Sequence, residues 1–126
     1  MSKQIIQTNN APAAIGPYSQ AVLAGNTLYC SGQIAINPST GTLVLDSIEL
    51  ETHQVMKNIL ALLVEAKMGF SNIVKTSIFL SDMNQFAQVN EIYSSYLTLP
   101  YPARETVQVA KLPKGVNVEI SVIAVG

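Results

Sequence analysis

Residues Asp46 to Leu80, DSIELETHQVMKNILALLVEAKMGFSNIVKTSIFL, decide the fold. Val55, Ile59, Leu62, Leu63 and Ala66 recur at i, i+4, i+7, i+8 and i+11, one apolar stripe down a helix, while Lys57, Asn58 and Glu65 fall off it. Asp46 with Glu49 three residues on predicts a capping box, and Gly69 predicts the C′ stop. Ile73 to Leu80 then changes period to two, as a strand does. This spacing predicts Lys75 and Ser77 on one face and Val74, Thr76 and Ile78 on the other. A helix with one apolar face followed at once by such a strand reads as a layer of helix on sheet.

Upstream, Lys3 to Gln7 predicts a short edge strand, and Thr8 to Tyr18 a polar loop ending in Ile15-Gly16-Pro17-Tyr18, where Gly-Pro marks a turn. Ala21 to Ala24, Gly25-Asn26 and Thr27 to Ile34 predict a hairpin with a two-residue turn. Alternation puts Tyr29, Ser31 and Gln33 on one face, with Leu28, Cys30 and Ile34 on the other. Gly32 leaves bare backbone beside Ser31. Asn37 to Gly41 is turn chemistry, and Thr42 to Leu45 reads as a minor strand. Downstream, Asp82 and Gln85 predict a second capping box, opening a helix striped by Phe86, Val89, Tyr93, Tyr96 and Leu97 and ended by Pro100. Strands Glu105 to Ala110 and Val116 to Val125 follow. Two helices can cover one face of a five- or six-stranded sheet but not both. The other face, with Tyr29, Ser31, Gln33, Lys75, Ser77, Thr106 and Gln108, is half polar and expected to meet another copy of the chain. An α+β fold with a subunit-facing sheet follows.

At 126 residues, 48% hydrophobic and 12% charged, the chain reads as a single domain over residues 1–126 and not as a disordered one. Net charge is −1 with no lysine cluster, which makes nucleic acid a poor partner. A single cysteine, Cys30, excludes an intrachain disulfide and suits a reducing cytosol. Met1 to Asn10 has no hydrophobic leader pattern, and the longest apolar run, Ile59 to Val64, is far short of a membrane span. A soluble, cytoplasmic protein is expected.

Arg104 is the only arginine. It sits in Tyr101-Pro102-Ala103-Arg104-Glu105-Thr106, where two prolines stiffen the approach to a strand. A planar guanidinium on a rigid strand suits bidentate capture of a carboxylate or phosphate; a solvated or salt-bridged arginine is the plainer reading. Glu119 interrupts the apolar strand Val116 to Ile123 and by alternation shares a face with Asn117 and Ser121. It is either an interface carboxylate bonded to a lysine or a carboxyl of raised pKa that holds water. Cys30 lies on the apolar face and is a poor nucleophile; His53, among polar residues, reads as exposed. One Cys and one His cannot supply a structural zinc set. Ser31 lies outside any Gly-x-Ser-x-Gly elbow, and the glycine signatures of nucleotide loops are missing.

Ala11-Pro12-Ala13-Ala14-Ile15-Gly16-Pro17-Tyr18-Ser19-Gln20-Ala21, Ser31-Gly32-Gln33-Ile34, Val89-Asn90, Pro102-Ala103-Arg104, Leu112-Pro113-Lys114-Gly115 and Val118-Glu119-Ile120 together resemble the RidA (YjgF) family of reactive-intermediate enamine/imine deaminases. The likeness runs from about Ile5 to Val125. It implies a chorismate-mutase-like protomer and a homotrimer whose sheets line a central β-barrel, with ligand clefts between subunits. It implies 2-iminobutanoate/2-iminopropanoate deaminase activity, releasing 2-keto acids and ammonia from unstable enamines and imines such as 2-aminoacrylate, with no cofactor and no metal. Carried over, Arg104 would grip the substrate carboxylate, Tyr18, Ser31, Gly32 and Asn90 would form the pocket, and the Thr106 backbone would bond the reacting end. Glu119 would position the attacking water. Two departures stand out: Thr106 where many relatives carry cysteine, and Ser121 where many carry a second acid. The alternatives from other classes are a non-catalytic trimeric small-acid-binding regulator and a chaperone-like or translation-inhibiting protein.

Overall fold

The computed structural model describes residues 2–126, so Met1 lies outside the described residues. Its elements are β1 (Lys3–Ile6), β2 (Ala21–Ala24), β3 (Thr27–Cys30), α1 (Ile48–Glu65), β4 (Ile73–Leu80), α2 (Phe86–Ser95), β5 (Ala103–Gln108) and β6 (Val118–Val125). The six strands form one sheet in the order β1-β2-β3-β6-β4-β5. Every neighbouring pair is antiparallel except β4 and β5, which run parallel because α2 carries the chain back to the starting end of the sheet.

Val118, Ile120, Val122 and Ala124 of β6 and Thr76, Ile78 and Leu80 of β4 are buried on one face. Against them α1 lays Val55, Met56, Ile59, Leu62 and Leu63, and α2 lays Val89 and Tyr93, all of them buried. Both helices therefore cover the same face, as two helices against six strands require. Truncating any of these core Leu or Ile side chains to Ala is expected to cost about 2–5 kcal/mol. On the other face Tyr29 and Val107 are exposed while Lys75, Ser77, Phe79, Glu119, Ser121 and Ile123 are only partly covered.

Several expectations shift in detail. The α1 cap is Ser47, not Asp46: Ser47 is extended (φ −152°, ψ 159°), and its Oγ accepts from the Leu50 N–H at 3.0 Å. The helix stops at Glu65, and Lys67, not Gly69, takes the left-handed turn at φ 62°. Lys67 N–H donates to the Val64 carbonyl and Met68 N–H to that of Leu63, closing a Schellman motif whose hydrogen bonds offset the roughly 1 kcal/mol such a conformation costs a side-chain-bearing residue. Asp82 caps only a single 3₁₀ turn, Met83–Gln85, before α2 begins at Phe86. Thr42 to Leu45 forms no strand; one bridge joins Ile36 to Leu43. The registers of β4 and β6 shift between Ile73 and Lys75, which puts Val74 in solvent instead of on the Thr76 face.

Two further corrections matter for the site. β3 ends at Cys30 rather than Ile34. From Tyr29↔Ile123 to Gln33↔Ile120 the first chain advances four residues while β6 advances three, so Ser31 and Gly32 carry a bulge. In β5 the parallel register pairs Arg104 with Thr76 and Thr106 with Ile78, both buried against the helices. Arg104, Thr106 and Gln108 thus belong to the helix side of the sheet, and Glu105 and Val107 to the open face.

Candidate active site

Helix α2 and strand β5 gather one group of candidate residues. Phe86, Asn90 and Tyr93 stand at i, i+4 and i+7, hence on one face of α2, and that face looks onto Arg104. The guanidinium carbon lies 5.5 Å from the Phe86 ring centroid and 5.4 Å from that of Tyr93, and Nη1 donates to Asn90 Oδ1. Tyr93 is itself tied down, its hydroxyl donating to Thr76 Oγ1 at 2.9 Å in the core. Burial pushes the Tyr93 hydroxyl up, against the lowering effects of that hydrogen bond and of the Arg104 charge, so it stays a neutral donor. Arg104 remains exposed, with donors to spare for a ligand.

A cleft of about 500 Å³ bordered by Asn90, Tyr93, Leu97 and Tyr101 opens on one side of Arg104. A second, of about 420 Å³, is lined by Met83, Phe86, Arg104 and Thr106. Thr106 Oγ1 is buried without a hydrogen-bond partner, and β5 is an edge of the sheet, so its outer backbone groups are free to meet a ligand. The neighbouring Glu105 points the other way: it takes hydrogen bonds from Ser77 and from Lys75, the latter an ion pair at 3.0 Å, which hold its carboxyl below the usual range.

The bulge after β3 gathers a second group of candidate residues. Glu119 lies against bare backbone at Gly32, where an added Cβ would stand 2.8 Å from Glu119 Cδ. Burial raises the Glu119 carboxyl above its ordinary value. Glu119, Gly32 and Tyr18 line one cavity of about 300 Å³, walled by Ile15, Ile34 and Lys114. Ser31 is adjacent, but its Oγ donates to the Ser19 carbonyl at 2.6 Å, so it fastens the preceding loop. Gln20 fastens it further: its amide donates to the carbonyls of Thr8 (3.0 Å), Ala11 (3.2 Å) and Pro12 (2.8 Å) and accepts from Thr8 N–H (2.8 Å). These bonds fix the stretch that carries Tyr18.

The sequence-predicted residues therefore fall into two groups: Arg104, Asn90 and Thr106 on the helix side, and Tyr18, Ser31, Gly32 and Glu119 on the bulge side. The cavities of the two groups share no lining residue. Asn117 does not join Glu119: its N–H and side-chain amide donate to the Glu51 carboxylate, both at 2.8 Å. Phe86, Tyr93 and Gln20 escaped the sequence reading, the first two because their spacing looked like plain core stripe; the clue was Asn90 between them. His53 is half-buried rather than exposed, and shares a 2.6 Å hydrogen bond with the Tyr96 hydroxyl. Cys30 is buried, its thiol pushed up to about 12 by desolvation, which makes it a poor nucleophile. Among the described residues no group of three or more His, Cys, Asp or Glu side chains is placed to hold a metal ion, and no helix is long and apolar enough to cross a membrane.

A family model described as endoribonuclease L-PSP, the YjgF/RidA family, matches residues 8–126. The chain belongs to the RidA family. A RidA-family relative from Mus musculus named 2-iminobutanoate/2-iminopropanoate deaminase is 50% identical over 123 residues, 98% of this chain and 91% of the relative. Among solved RidA-like structures, the Rid protein YyfA of Yersinia pestis is 53% identical and superposes with a TM-score of 0.97 over 99% of this chain and 100% of its own. E. coli TdcF, solved with bound serine, is 40% identical, with a TM-score of 0.92 over 98% of each chain.

Proposed function

We propose that the protein is a cofactor-independent deaminase of the cytoplasm that hydrolyses 2-iminopropanoate (formed from 2-aminoacrylate) and 2-iminobutanoate to 2-keto acids and ammonia. It works as a homotrimer with a central β-barrel, its sites completed between subunits. The observation that carries the reading is the Arg104 fork, held against α2 yet exposed beside a free strand edge. The deaminase name of relatives near 50% identity supports the substrate class, and the serine bound to TdcF shows that a relative admits a small amino acid.

A 2-imino acid has an anionic carboxylate next to an electrophilic C=N carbon. Arg104 pairs with the carboxylate through charge-assisted hydrogen bonds worth roughly 1.5–3 kcal/mol each. The β5 edge beside Thr106 bonds the nitrogen end. Glu119, carried by β6 of a second copy beside that copy's Gly32, takes a proton from water as the oxygen attacks the carbon. Glu119 returns that proton to the nitrogen left by the attack, giving the neutral carbinolamine. The carbinolamine hydroxyl then passes its own proton by way of the Glu119 carboxylate to the amino group as the C–N bond breaks, so that C=O forms and ammonia leaves. Its raised carboxyl brings Glu119 nearer the operating pH, where a general base works best, and such help contributes about 10²–10⁴-fold. Imines hydrolyse readily in water, so modest acceleration suffices.

The test is a coupled assay in which a dehydratase generates 2-aminoacrylate and 2-keto acid formation is followed, comparing wild type with Arg104→Lys. The variant keeps the charge and loses the planar fork, so kcat/KM should drop about 10–100-fold; equal turnover would sink the carboxylate clamp. A protein that binds the keto acid yet leaves imine lifetime unchanged would instead be a small-acid-binding regulator, which the same pocket could serve.

A further inference from the structure

We propose that Phe86 and Tyr93 are positioning residues for the reaction: with Asn90 they form a cage on one face of α2 that fixes the Arg104 guanidinium for carboxylate capture. The inference deepens the deaminase reading and rests on it for the ligand.

An arginine on an exposed edge strand has four side-chain torsions to lose before it can present a fork. Here the two ring centroids stand nearly equidistant from the guanidinium carbon, at 5.5 and 5.4 Å, within the range where a ring quadrupole attracts a cation. Asn90 Oδ1 occupies one N–H at Nη1, which sets the rotation of the plane, while the remaining donors stay free. Tyr93 cannot turn away, because its hydroxyl bond to Thr76 Oγ1 ties the ring to the buried face of β4, the strand that also pairs with β5 at Arg104. One rigid unit, α2 on β4, therefore aims the cation. Freezing the fork before a ligand arrives removes an ordering cost from binding.

Arg104 is the only arginine, so the protein gives a single arginine Nε–H signal by NMR. Its ¹⁵N order parameter reads the order of the guanidinium without any assay of activity. In Phe86→Leu and Tyr93→Leu the order parameter should fall, and binding of 2-oxobutanoate should weaken about 5–10-fold. Binding of the uncharged amide of that acid should change less than twofold, which a merely damaged pocket would not allow. Tyr93→Phe, which keeps the ring and loses the tether, should fall between wild type and Tyr93→Leu. Phe86 is the less buried of the pair, so its variant decides the matter if Tyr93→Leu unfolds. An unchanged order parameter in Phe86→Leu, or equal weakening for acid and amide, overturns the cage. Wild-type turnover tests the deaminase reading separately: 2-keto acid formation no faster than the spontaneous rate would end that reading, while the Arg104 Nε signal of Phe86→Leu against wild type would still decide on the cage.

Discussion

Burial is the cause of the upward shift at Glu119, so its folded-state carboxyl holds a proton more tightly than in the unfolded chain. Its stabilising contribution is complete below the unfolded value and is lost as pH rises through the folded one. At neutral pH the half-buried charge is thus a burden on the fold, and Glu119→Gln should leave the Tm at pH 7 unchanged or higher while kcat for 2-iminopropanoate falls about 10²–10³-fold. Wild-type kcat should decline on the acid side with an inflection above the 4.5 of a free glutamate, and the Gln variant should lose that limb. A pH-rate series with parallel thermal melts checks both. Glu119 and Arg104 could be found in the sequence because each is chemically alone, a carboxylate in an apolar strand and the only guanidinium. The face of Thr106 could not. Its polarity suggested the open face, but parity in β5 is set by its register on β4, and the edge beyond α2 tolerates polar side chains.

At the scale of elements, the bulge at Ser31–Gly32 is what brings Glu119 onto main chain. A methyl group on Gly32 would press on the far end of a flexible side chain, which can swing aside. Gly32→Ala should therefore shift the unfolding midpoint little, by less than about 1 kcal/mol, yet lower kcat nearly as much as Glu119→Gln. Glu51 makes the opposite case. It is fully buried in the first turn of α1, and its oxygens accept from Asn117 N–H (2.8 Å), Asn117 Nδ2 (2.8 Å) and Val118 N–H (3.1 Å), so a helix carboxylate caps the start of β6. Glu51→Ala strands those donors, and urea unfolding should show a loss of about 3 kcal/mol or more. The helices and strands themselves were legible, since periods of 3.6 and 2 are local signals. Bulges, and the Glu51 cap reaching across 66 residues, depend on pairing partners that no local window contains.

For the whole molecule, two helices against six strands leave one sheet face with Tyr29, Phe79, Val107 and Ile123 among Lys75, Ser77, Glu105 and Ser121. If that face is the trimer's inner surface, a charge at Ile123 breaks assembly without touching any site residue. Ile123→Asp should sediment below the trimer at micromolar concentration and lose imine turnover along with it. A fully active monomer would refute an intersubunit site. The expectation of a subunit-facing sheet rests in the sequence on an imbalance of helices and strands, and the proposed three copies rest on the family resemblance. The placement of Arg104 and Glu119 on opposite sides of one sheet carries a genetic corollary. Two dead proteins, one lacking the cation and the other the acid, should revive each other when unfolded together and refolded as mixed oligomers. With equal amounts, about a quarter of the clefts would join an intact arginine from one parent to an intact glutamate from the other, so a cell carrying both defective alleles would not be a null.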